Sequence, residues 1–293
     1  MEPPSPGGIA SAGSTHKFHP CDEAVIATND DASDCKRCAV RLGYWKDDYI
    51  GYFVRNQERK APEINRGYFA RVKGVEMCVE KFLKKTSGNC QIINLGCGFD
   101  TLYFRLRDTA HQVKNFIELD FPTVRLSPTD LHGPSYHLMG VDLRNLDEVD
   151  NKLQQAEVDY SLPTIFLAEC VLVYIEAQNC RNLLKWIAQK FQAAVFVNYE
   201  QVNMNDRFGD VMLNNLRGRG CSLAGVESCL SLETQRNRFK DSGWTGARAW
   251  DMVQVYESIS AAERQRIERL EMLDEGELLL QLVEELMSSL NID

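Results

Sequence analysis

The stretch Ile92-Ile93-Asn94-Leu95-Gly96-Cys97-Gly98-Phe99-Asp100-Thr101 joins an apolar run to a Gly-x-Gly turn, and a helical pattern follows it. This order predicts a buried strand, a tight turn and a helix. Glycines in such a turn let the backbone approach a ligand at the carboxyl end of the first strand of an open α/β sheet. A Gly-x-Gly turn can also be only a tightly packed connection, so a ligand needs a second signal.

That second signal is Glu118-Leu119-Asp120, which ends the next apolar run. A carboxylate about twenty residues after the glycine turn can accept both hydroxyls of a ribose. Dinucleotide-binding chains carry a third glycine where this chain has Thr101, and Asp100 puts negative charge near the place of a phosphate. The pattern therefore predicts an adenosine cofactor without phosphate, and S-adenosylmethionine fits that description.

Two further acids follow the third and fourth apolar runs, Asp142 and Glu169. Acids at strand ends are compatible with a cofactor that carries a sulfonium and an ammonium group. Each of them could instead cap a helix or lie in a solvated loop.

Apolar runs and helical patterns alternate along most of the chain. The predicted strands are 91–95, 115–119, 136–141, 164–168, 193–199 and, more weakly, 247–252. The predicted helices between them are 101–108, 145–155, 176–192, 206–218 and 231–242. Strands that alternate with helices predict an α/β fold, a Rossmann-like, mostly parallel sheet with helices on both faces. Residues 261–290 predict a closing helix or helix pair with Leu286 on its apolar face.

The N-terminal part of the chain does not show this alternation of strands and helices. Residues 1–30 are rich in Pro, Gly, Ser and Asp and predict a disordered tail. Residues 31–293 predict a single domain, in which 31–88 form an N-terminal helical cap and 89–293 form the core with C-terminal helices. The cap is predicted to contain helices over 33–53 and about 65–85.

Composition excludes several classes of protein. The 293 residues include 33 Lys and Arg against 42 Asp and Glu, a net charge of −9 that argues against nucleic acid and anionic membranes as partners. No apolar run is long enough to span a membrane, and the N-terminus lacks the order of a signal peptide. Ten cysteines scattered through apolar segments suit reduced thiols in the cytoplasm. Cys35 and Cys38 have no second pair at metal-ligand spacing, so no metal site is expected.

Several motifs together resemble the leucine carboxyl methyltransferase family. They are Cys35-Lys36-Arg37, Gly43-Tyr44-Trp45, residues 59–71 (RKAPEINRGYFAR), Leu95-Gly96-Cys97-Gly98-Phe99-Asp100-Thr101, residues 168–174 (AECVLVY) and Asn198-Tyr199-Glu200-Gln201. The resemblance covers about residues 31 to 280. It implies a monomeric S-adenosylmethionine-dependent methyltransferase acting on the C-terminal leucine of the protein phosphatase 2A catalytic subunit and so regulating phosphatase holoenzyme assembly. The implied contacts are the C-terminal tail and the active-site face of that subunit.

The resemblance also implies cofactor contacts, position by position: Lys36, Arg71, Gly96, Asp120, Asp142, Leu143 and Glu169. Arg71 would offer a planar fork to the methionine carboxylate, with Lys36 as a nearby point charge. Gly96 would allow close backbone approach and Asp120 would bind the ribose. Asp142 and Leu143 would face the adenine, and Glu169 the methionine end. On composition alone, Arg71 would be a solvated surface residue.

The implied reaction needs no catalytic residue. A peptide α-carboxylate has a pKa of about 3.3 to 3.7 and is ionised at neutral pH, so no general base is required. Candidates for the substrate pocket follow the fourth and fifth strands: Tyr174, Tyr199, Glu200 and Gln201. Ordinary strand-end packing is the alternative reading of these four.

Two departures from the family leave other functions open. Only fifteen residues separate Asp120 from Tyr136, too few for an ordinary crossover helix with its loops. The C-terminal sequence also predicts that the family's last β segment is missing. The alternatives are a catalytically impaired phosphatase-binding protein, or a methyltransferase for another carboxylate or a modified tRNA base, the last disfavoured by the acidic charge.

Overall fold

A mixed sheet of seven strands forms the centre of the part of the chain that the computed structural model describes, residues 22–55, 58–109, 111, 113–122, 130–273 and the backbone of 285–287. The strands are β1 (Gln91–Leu95), β2 (Asn115–Asp120), β3 (Leu131–His132), β4 (Tyr136–Gly140), β5 (Thr164–Glu169), β6 (Ala194–Gln201) and β7 (Glu285–Met287). Their order across the sheet is β3-β4-β2-β1-β5-β6-β7. The five central strands are parallel, and β3 and β7 pair antiparallel at the two edges.

The strand order reverses between β1 and β5. From β1 the chain moves outward through β2 to β4, and it then returns to the other side of β1 for β5 and β6. Loops that leave a parallel sheet in opposite directions open a crevice at the carboxyl ends of the two strands. The Gly96 turn and Glu169 end these two strands, so the topology brings the predicted site residues to one place.

Helices cover both faces of the sheet. They are α1 (Asp22–Arg41), α2 (Ile50–Phe53), α3 (Pro62–Thr86), α4 (Leu102–Asp108), α5 (Leu146–Gln155), α6 (Ala177–Lys190), α7 (Arg207–Gly218), α8 (Leu232–Lys240), α9 (Met252–Ser258) and α10 (Ala261–Glu268). Along β1, Ile92 packs into an apolar cluster with α3 and α9, and Ile93 packs into a second cluster with α5 and α6. This period-two alternation between two covered faces confirms the predicted α/β fold. None of the helices in these ranges is long and apolar enough to cross a bilayer.

The five principal predicted strands are confirmed within about two residues, because each is a buried apolar run. The weaker strand over 247–252 is wrong. Asp251 there begins α9, and its carboxylate accepts a hydrogen bond of 2.8 Å from the backbone N–H of Gln254 in a capping box.

The N-terminal boundary is also corrected. The helix α1 begins at Asp22, so residues 22–30 are not part of a disordered tail; residues 1–21 lie outside the described residues. The predicted helix over 33–53 is divided, because α1 ends at Arg41 before Gly43, whose φ is +88°. The second predicted helix is confirmed as α3, with Pro62 in its first turn.

The C-terminal segment contains a short helix and then a strand. Helix α10 ends at Glu268, and β7 pairs antiparallel with the end of β6, in the register Glu200 to Leu286. The prediction that Leu286 lies on a helix is therefore wrong, and so is the prediction that the closing β segment is missing. Residues 274–284 lie outside the described residues.

The short connection between β2 and β4 carries β3, which pairs antiparallel with β4 through His132 and His137. Residues 123–129 of this connection are outside the described part of the chain. The described residues thus place an edge strand where a longer crossover would carry a helix.

Candidate active site

A cavity of about 390 Å³ lies at the carboxyl edge of the sheet. It is enclosed by the ends of the central strands, by α1 and α3, and on one side by α7. All of the predicted site residues line it except Glu200: Lys36, Arg71, Gly96, Asp120, Asp142, Leu143, Glu169, Tyr174, Tyr199 and Gln201. The crevice at the strand-order reversal is the expected ligand site of such a sheet.

The glycine turn forms the floor of this cavity. Gly96 has a φ of +60°, and its N–H donates to the carbonyl of Leu119 at 2.7 Å. A Cβ added at Gly96 would lie 2.5 Å from Cγ2 of Val171. Both the backbone conformation and the close approach therefore require glycine here.

Alanine at Gly96 is expected to destabilise the protein by about 1–3 kcal/mol and to weaken cofactor binding, because the φ value is strained and Val171 must move. Urea unfolding and calorimetric titration of S-adenosylmethionine would measure the two effects. Gly218→Ala is the matched control, since nothing lies within 4 Å of a Cβ added there. Equal results for the two variants would contradict the assigned role of Gly96.

Asp100 explains why phosphate is disfavoured at this turn. Its Oδ1 accepts hydrogen bonds from the backbone N–H groups of Thr101 at 2.6 Å and Leu102 at 3.1 Å. The donors at the start of α4 are thus engaged by a carboxylate, and a phosphate would meet negative charge there.

Asp120 stands at one end of the cavity, at the end of β2. Its two carboxylate oxygens accept from the backbone N–H groups of Gly98 at 2.6 Å and Phe121 at 2.7 Å. Burial raises the pKa of this carboxyl to about 6, against the opposing effect of those two hydrogen bonds. The carboxylate can therefore be ionised at neutral pH, and its remaining lone pairs can accept the two hydroxyls of a ribose.

Two cations and one acid stand at the other end. The Nε of Arg71 lies 2.6 Å from Oε2 of Glu169, and the Nζ of Lys36 lies 3.6 Å from the same oxygen. Burial opposes the ionisation of Glu169, but Lys36 and Arg71 outweigh it and lower the pKa of Glu169 to about 2. One excess positive charge with a neighbouring carboxylate suits the amino-acid end of a ligand, whose carboxylate and ammonium each need an opposite charge.

Arg71 is a buried residue, and the surface alternative for it is wrong. Its side chain is 10% exposed, and its guanidinium stacks on the ring of Tyr199 at 4.6 Å and lies near that of Tyr68 at 5.5 Å. The aromatic faces and Glu169 hold the planar fork in one orientation.

Asp142 and Leu143 follow β4 and line another side of the cavity. The carboxylate of Asp142 is bound by Arg144 at 2.7 Å, and Arg144 also reaches Asp22 on α1 at 2.9 Å. Leu143 is buried and supplies an apolar surface. The cavity therefore combines an apolar wall, a carboxylate that can accept hydrogen bonds from hydroxyls, and charged groups of both signs that can bind the amino-acid end of a ligand. These groups together fit S-adenosylmethionine.

Helix α1 closes the cavity, which the sequence reasoning missed. Its Asn29 accepts a hydrogen bond of 2.9 Å from the backbone N–H of Phe99 in the glycine turn. The acids Asp22 and Glu23, followed by Val25 and Ile26, are the signal that a helix begins here, but the Pro- and Gly-rich residues before them obscured it.

Glu200 does not line the cavity, which corrects its place among the pocket candidates. Successive residues of β6 point to opposite faces of the sheet, so Tyr199 and Gln201 face the cavity and Glu200 points away. Glu200 is fully buried, accepts from the backbone N–H of Val173 at 2.9 Å and lies 3.8 Å from Arg238. It fixes the turn that carries Tyr174.

Glu200→Ala is expected to lower the free energy of unfolding by about 3 kcal/mol, because it removes the carboxyl group beside buried Arg238 and the acceptor of the Val173 N–H. Urea unfolding measures the loss. Glu200→Gln keeps an acceptor for Val173 and should lose less, and the exposed Glu233→Gln should change nothing. A Glu200→Ala variant as stable as the parent would disprove this role.

Fold and cavity together define the class of protein, a Rossmann-like S-adenosylmethionine-dependent methyltransferase. A solved putative methyltransferase from Thermobifida fusca shares the fold, with a TM-score of 0.52 and 11% identity over 88% of this chain and 93% of that one. A family model described as leucine carboxyl methyltransferase matches residues 24–188. The chain belongs to the leucine carboxyl methyltransferase family.

Individual relatives support this assignment. The chain is 49% identical to leucine carboxyl methyltransferase 1 of Bos taurus, over 90% of this chain and 88% of that protein. It is 40% identical to leucine carboxyl methyltransferase 1 of Caenorhabditis elegans, over 89% of each chain. It is also 37% identical to tRNA wybutosine-synthesizing protein 4 of Homo sapiens, over 87% of this chain and 42% of that protein. The predicted resemblance and the predicted enzyme class, a carboxyl methyltransferase, are confirmed, and the roles of single residues stay predictions.

Proposed function

We propose that this protein transfers a methyl group from S-adenosylmethionine to the α-carboxylate of the C-terminal leucine of the protein phosphatase 2A catalytic subunit. The observation that carries the proposal is the arrangement of Asp120 at one end of a single cavity and Arg71, Lys36 and Glu169 at the other. Membership of the leucine carboxyl methyltransferase family supports the choice of acceptor.

The residues would hold the cofactor by complementary chemistry. Asp120 accepts the ribose hydroxyls, Leu143 contacts the adenine face, and Asp142 stands at its edge. Arg71 and Lys36 bind the methionine carboxylate while Glu169 accepts its ammonium. When bound, S-adenosylmethionine supplies a methyl group activated by a positively charged sulfur.

The acceptor carboxylate needs no base from the protein. An α-carboxyl group with a pKa of about 3.3 to 3.7 is already ionised at neutral pH. The protein therefore has to orient the carboxylate and exclude water, and alignment of this kind supplies on the order of 7–11 kcal/mol. Tyr174, Tyr199 and Gln201 line the side of the cavity suited to that task.

Helix α7 lines one side of the cavity and carries apolar side chains that suit a protein substrate. Met212 and Leu216 of this helix line the cavity, and Phe208 and Val211 on the same helix are more than half exposed. Exposed apolar side chains on a helix that lines a pocket are typical of a protein-binding surface. We propose that the phosphatase inserts its C-terminal tail here while its active-site face docks against the rim, that the enzyme acts as a monomer in the cytoplasm, and that methylation regulates phosphatase holoenzyme assembly.

Transfer of labelled methyl from S-adenosylmethionine to the phosphatase 2A catalytic subunit tests the proposal. Label is expected on the intact subunit, released by mild alkali as a carboxyl ester is, and a subunit that lacks its C-terminal leucine should take up none. Label that persists on the truncated subunit would refute the acceptor site.

Two alternative functions would give different experimental results. The identity with tRNA wybutosine-synthesizing protein 4 favours tRNA as a second acceptor, and label on total tRNA but not on the phosphatase would support it. An impaired phosphatase-binding protein would bind the subunit and give no heat when titrated with S-adenosylmethionine. That alternative was based on a short connection after Asp120 and on a missing last β segment. The second of these no longer supports it, because β7 supplies a closing strand.

A further inference from the structure

A second acid lies directly beneath Asp120 and takes no part in the proposed contacts. Glu118 is two residues earlier on β2, so its side chain points to the same face of the sheet. It is 3% exposed and stands between Asn94 of β1 and Leu138 of β4 in the strand register. Its position makes it a support for the residue proposed to bind the ribose.

The groups that face Glu118 include acids, and those with the largest electrostatic effect on it carry no positive charge. They are Asn94 and Cys97 from β1 and its turn, Asp100 before α4, Asp120 on β2, Tyr136 and Leu138 on β4, Phe104 on α4 and Phe53 on α2. The hydroxyl of Tyr136 donates a hydrogen bond to Oε2 of Glu118. Two neighbouring carboxylates, Asp100 and Asp120, make a third ionised carboxylate unfavourable.

A small cavity of about 30 Å³ lies between Glu118 and the glycine turn. Cys97, Gly98, Asp100 and Asp120 line both this space and the large cavity, so they form the wall between the two. Oε1 of Glu118 is buried and has no hydrogen-bond partner in the described part of the chain. The space is large enough for one water molecule, so this oxygen can carry a proton and donate it to such a water.

We propose that Glu118 is a positioning residue held as a neutral carboxylic acid, and that its ionisation in alkaline solution displaces Asp120 and loosens the glycine turn around the cofactor. The proton leaves Oε1 to solvent. The new charge repels Asp120, whose Oδ2 holds the Gly98 N–H at 2.6 Å. The displaced turn then fits the cofactor less well.

The electrostatics of the site support this geometry. Burial and then the charge of Asp100 raise the pKa of Glu118 to about 8, although the side chains of Tyr136 and Asn94 oppose the shift. Glu118 is therefore mostly neutral at pH 7 and ionises within the range in which an enzyme can be assayed.

The first test rests on the proposed cofactor. The dissociation constant of S-adenosylmethionine is measured by calorimetry between about pH 6.5 and 9.5 for the parent protein and for Glu118→Gln, a neutral residue of the same shape. The amino group of the cofactor titrates in both experiments alike, so the ratio of the two constants isolates Glu118. We expect a ratio near one at pH 7 that grows about tenfold for each pH unit above the pKa. A ratio that stays constant with pH would overturn the proposal.

Two further variants sharpen the result. Tyr136→Phe removes the hydrogen bond that favours the ionised form, so the weakening of cofactor binding should begin at higher pH than in the parent. The exposed Glu80→Gln should follow the parent at every pH. An earlier onset in Tyr136→Phe, or a Glu80→Gln profile like that of Glu118→Gln, would contradict the mechanism.

A measurement without cofactor separates this inference from the proposed function. Burial also raises the pKa of Glu200 to about 7, so infrared spectra of the parent protein at pH 7 should show carbonyl absorption from more than one protonated carboxyl group. The Glu118 band is the component that is lost as the pH rises through about 8 and that is absent in Glu118→Gln. If that variant does not fold, the band and its shift in Tyr136→Phe decide the question. A Glu118 band present while no cofactor binds at any pH would refute the cofactor alone. Parent and Glu118→Gln spectra with the same carbonyl absorption at every pH, or a band near pH 8 that does not shift in Tyr136→Phe, would refute the role of Glu118.

Discussion

Replacing Arg71 with alanine is expected to reduce the affinity for S-adenosylmethionine at least about thirtyfold at neutral pH. Arg71 lies 2.6 Å from Glu169 inside the cavity and is the planar donor available to the methionine carboxylate. Removal of one partner from a buried, hydrogen-bonded charge pair costs about 2–5 kcal/mol of binding free energy, and every 1.4 kcal/mol is about tenfold in affinity. Lys36 remains 3.6 Å from Glu169, so the acid keeps one counter-charge and the fold should survive.

Calorimetric titration with S-adenosylmethionine measures this loss, and a thermal melt confirms that each variant is folded. Arg71→Lys keeps the charge without the planar fork and should recover only part of the affinity. Arg181→Ala, an exposed arginine on α6, is the matched control and should bind as the parent does. An unchanged dissociation constant in Arg71→Ala would remove this residue from the site.

The sequence predicts the core of this fold well because the deciding signals are local. Strands β1, β2, β4, β5 and β6 are short apolar runs, and the helices between them follow at regular spacing. The errors arise where long-range contacts decide the structure. Helix α1 is tied to the rest of the chain by Asp22 with Arg144, and β7 by pairing with β6. Neither interaction is visible in the local pattern of α1 or of residues 285–287.

In the candidate site, too, local sequence signals predict some residues, and long-range contacts decide the others. The glycine turn and Asp120 are marked by their positions after strands, whereas the place of Arg71 and Lys36 came only from family resemblance. The structure brings both within hydrogen-bond or ion-pair distance of Glu169. Period-two alternation, applied to β6, would have excluded Glu200 from the pocket while keeping Tyr199 and Gln201. The role of Asn29 could not be predicted from the sequence, because the residue that it contacts, Phe99, lies seventy positions along the chain.

Asp120→Asn is expected to weaken S-adenosylmethionine binding about a hundredfold at pH 7.5. Both oxygens of Asp120 accept backbone N–H groups, from Gly98 and from Phe121. Asparagine has a single acceptor oxygen, so in either orientation its NH₂ group must face one of these N–H donors. The turn then has to move, and the ribose loses an anionic acceptor worth more than a neutral one.

The same residue sets the acid limit of cofactor binding. Because burial raises the pKa of Asp120 to about 6, the carboxylate is ionised above that pH and protonated below it. Only the ionised form accepts both hydroxyls, so the affinity of the parent should fall as the pH drops below 6, about tenfold per unit. In Asp120→Asn this dependence should vanish, and in the exposed Asp147→Asn it should persist. If Asp120→Asn kept the acid dependence of the parent, another group would control it, and Asp120 would not be the carboxylate that binds the ribose.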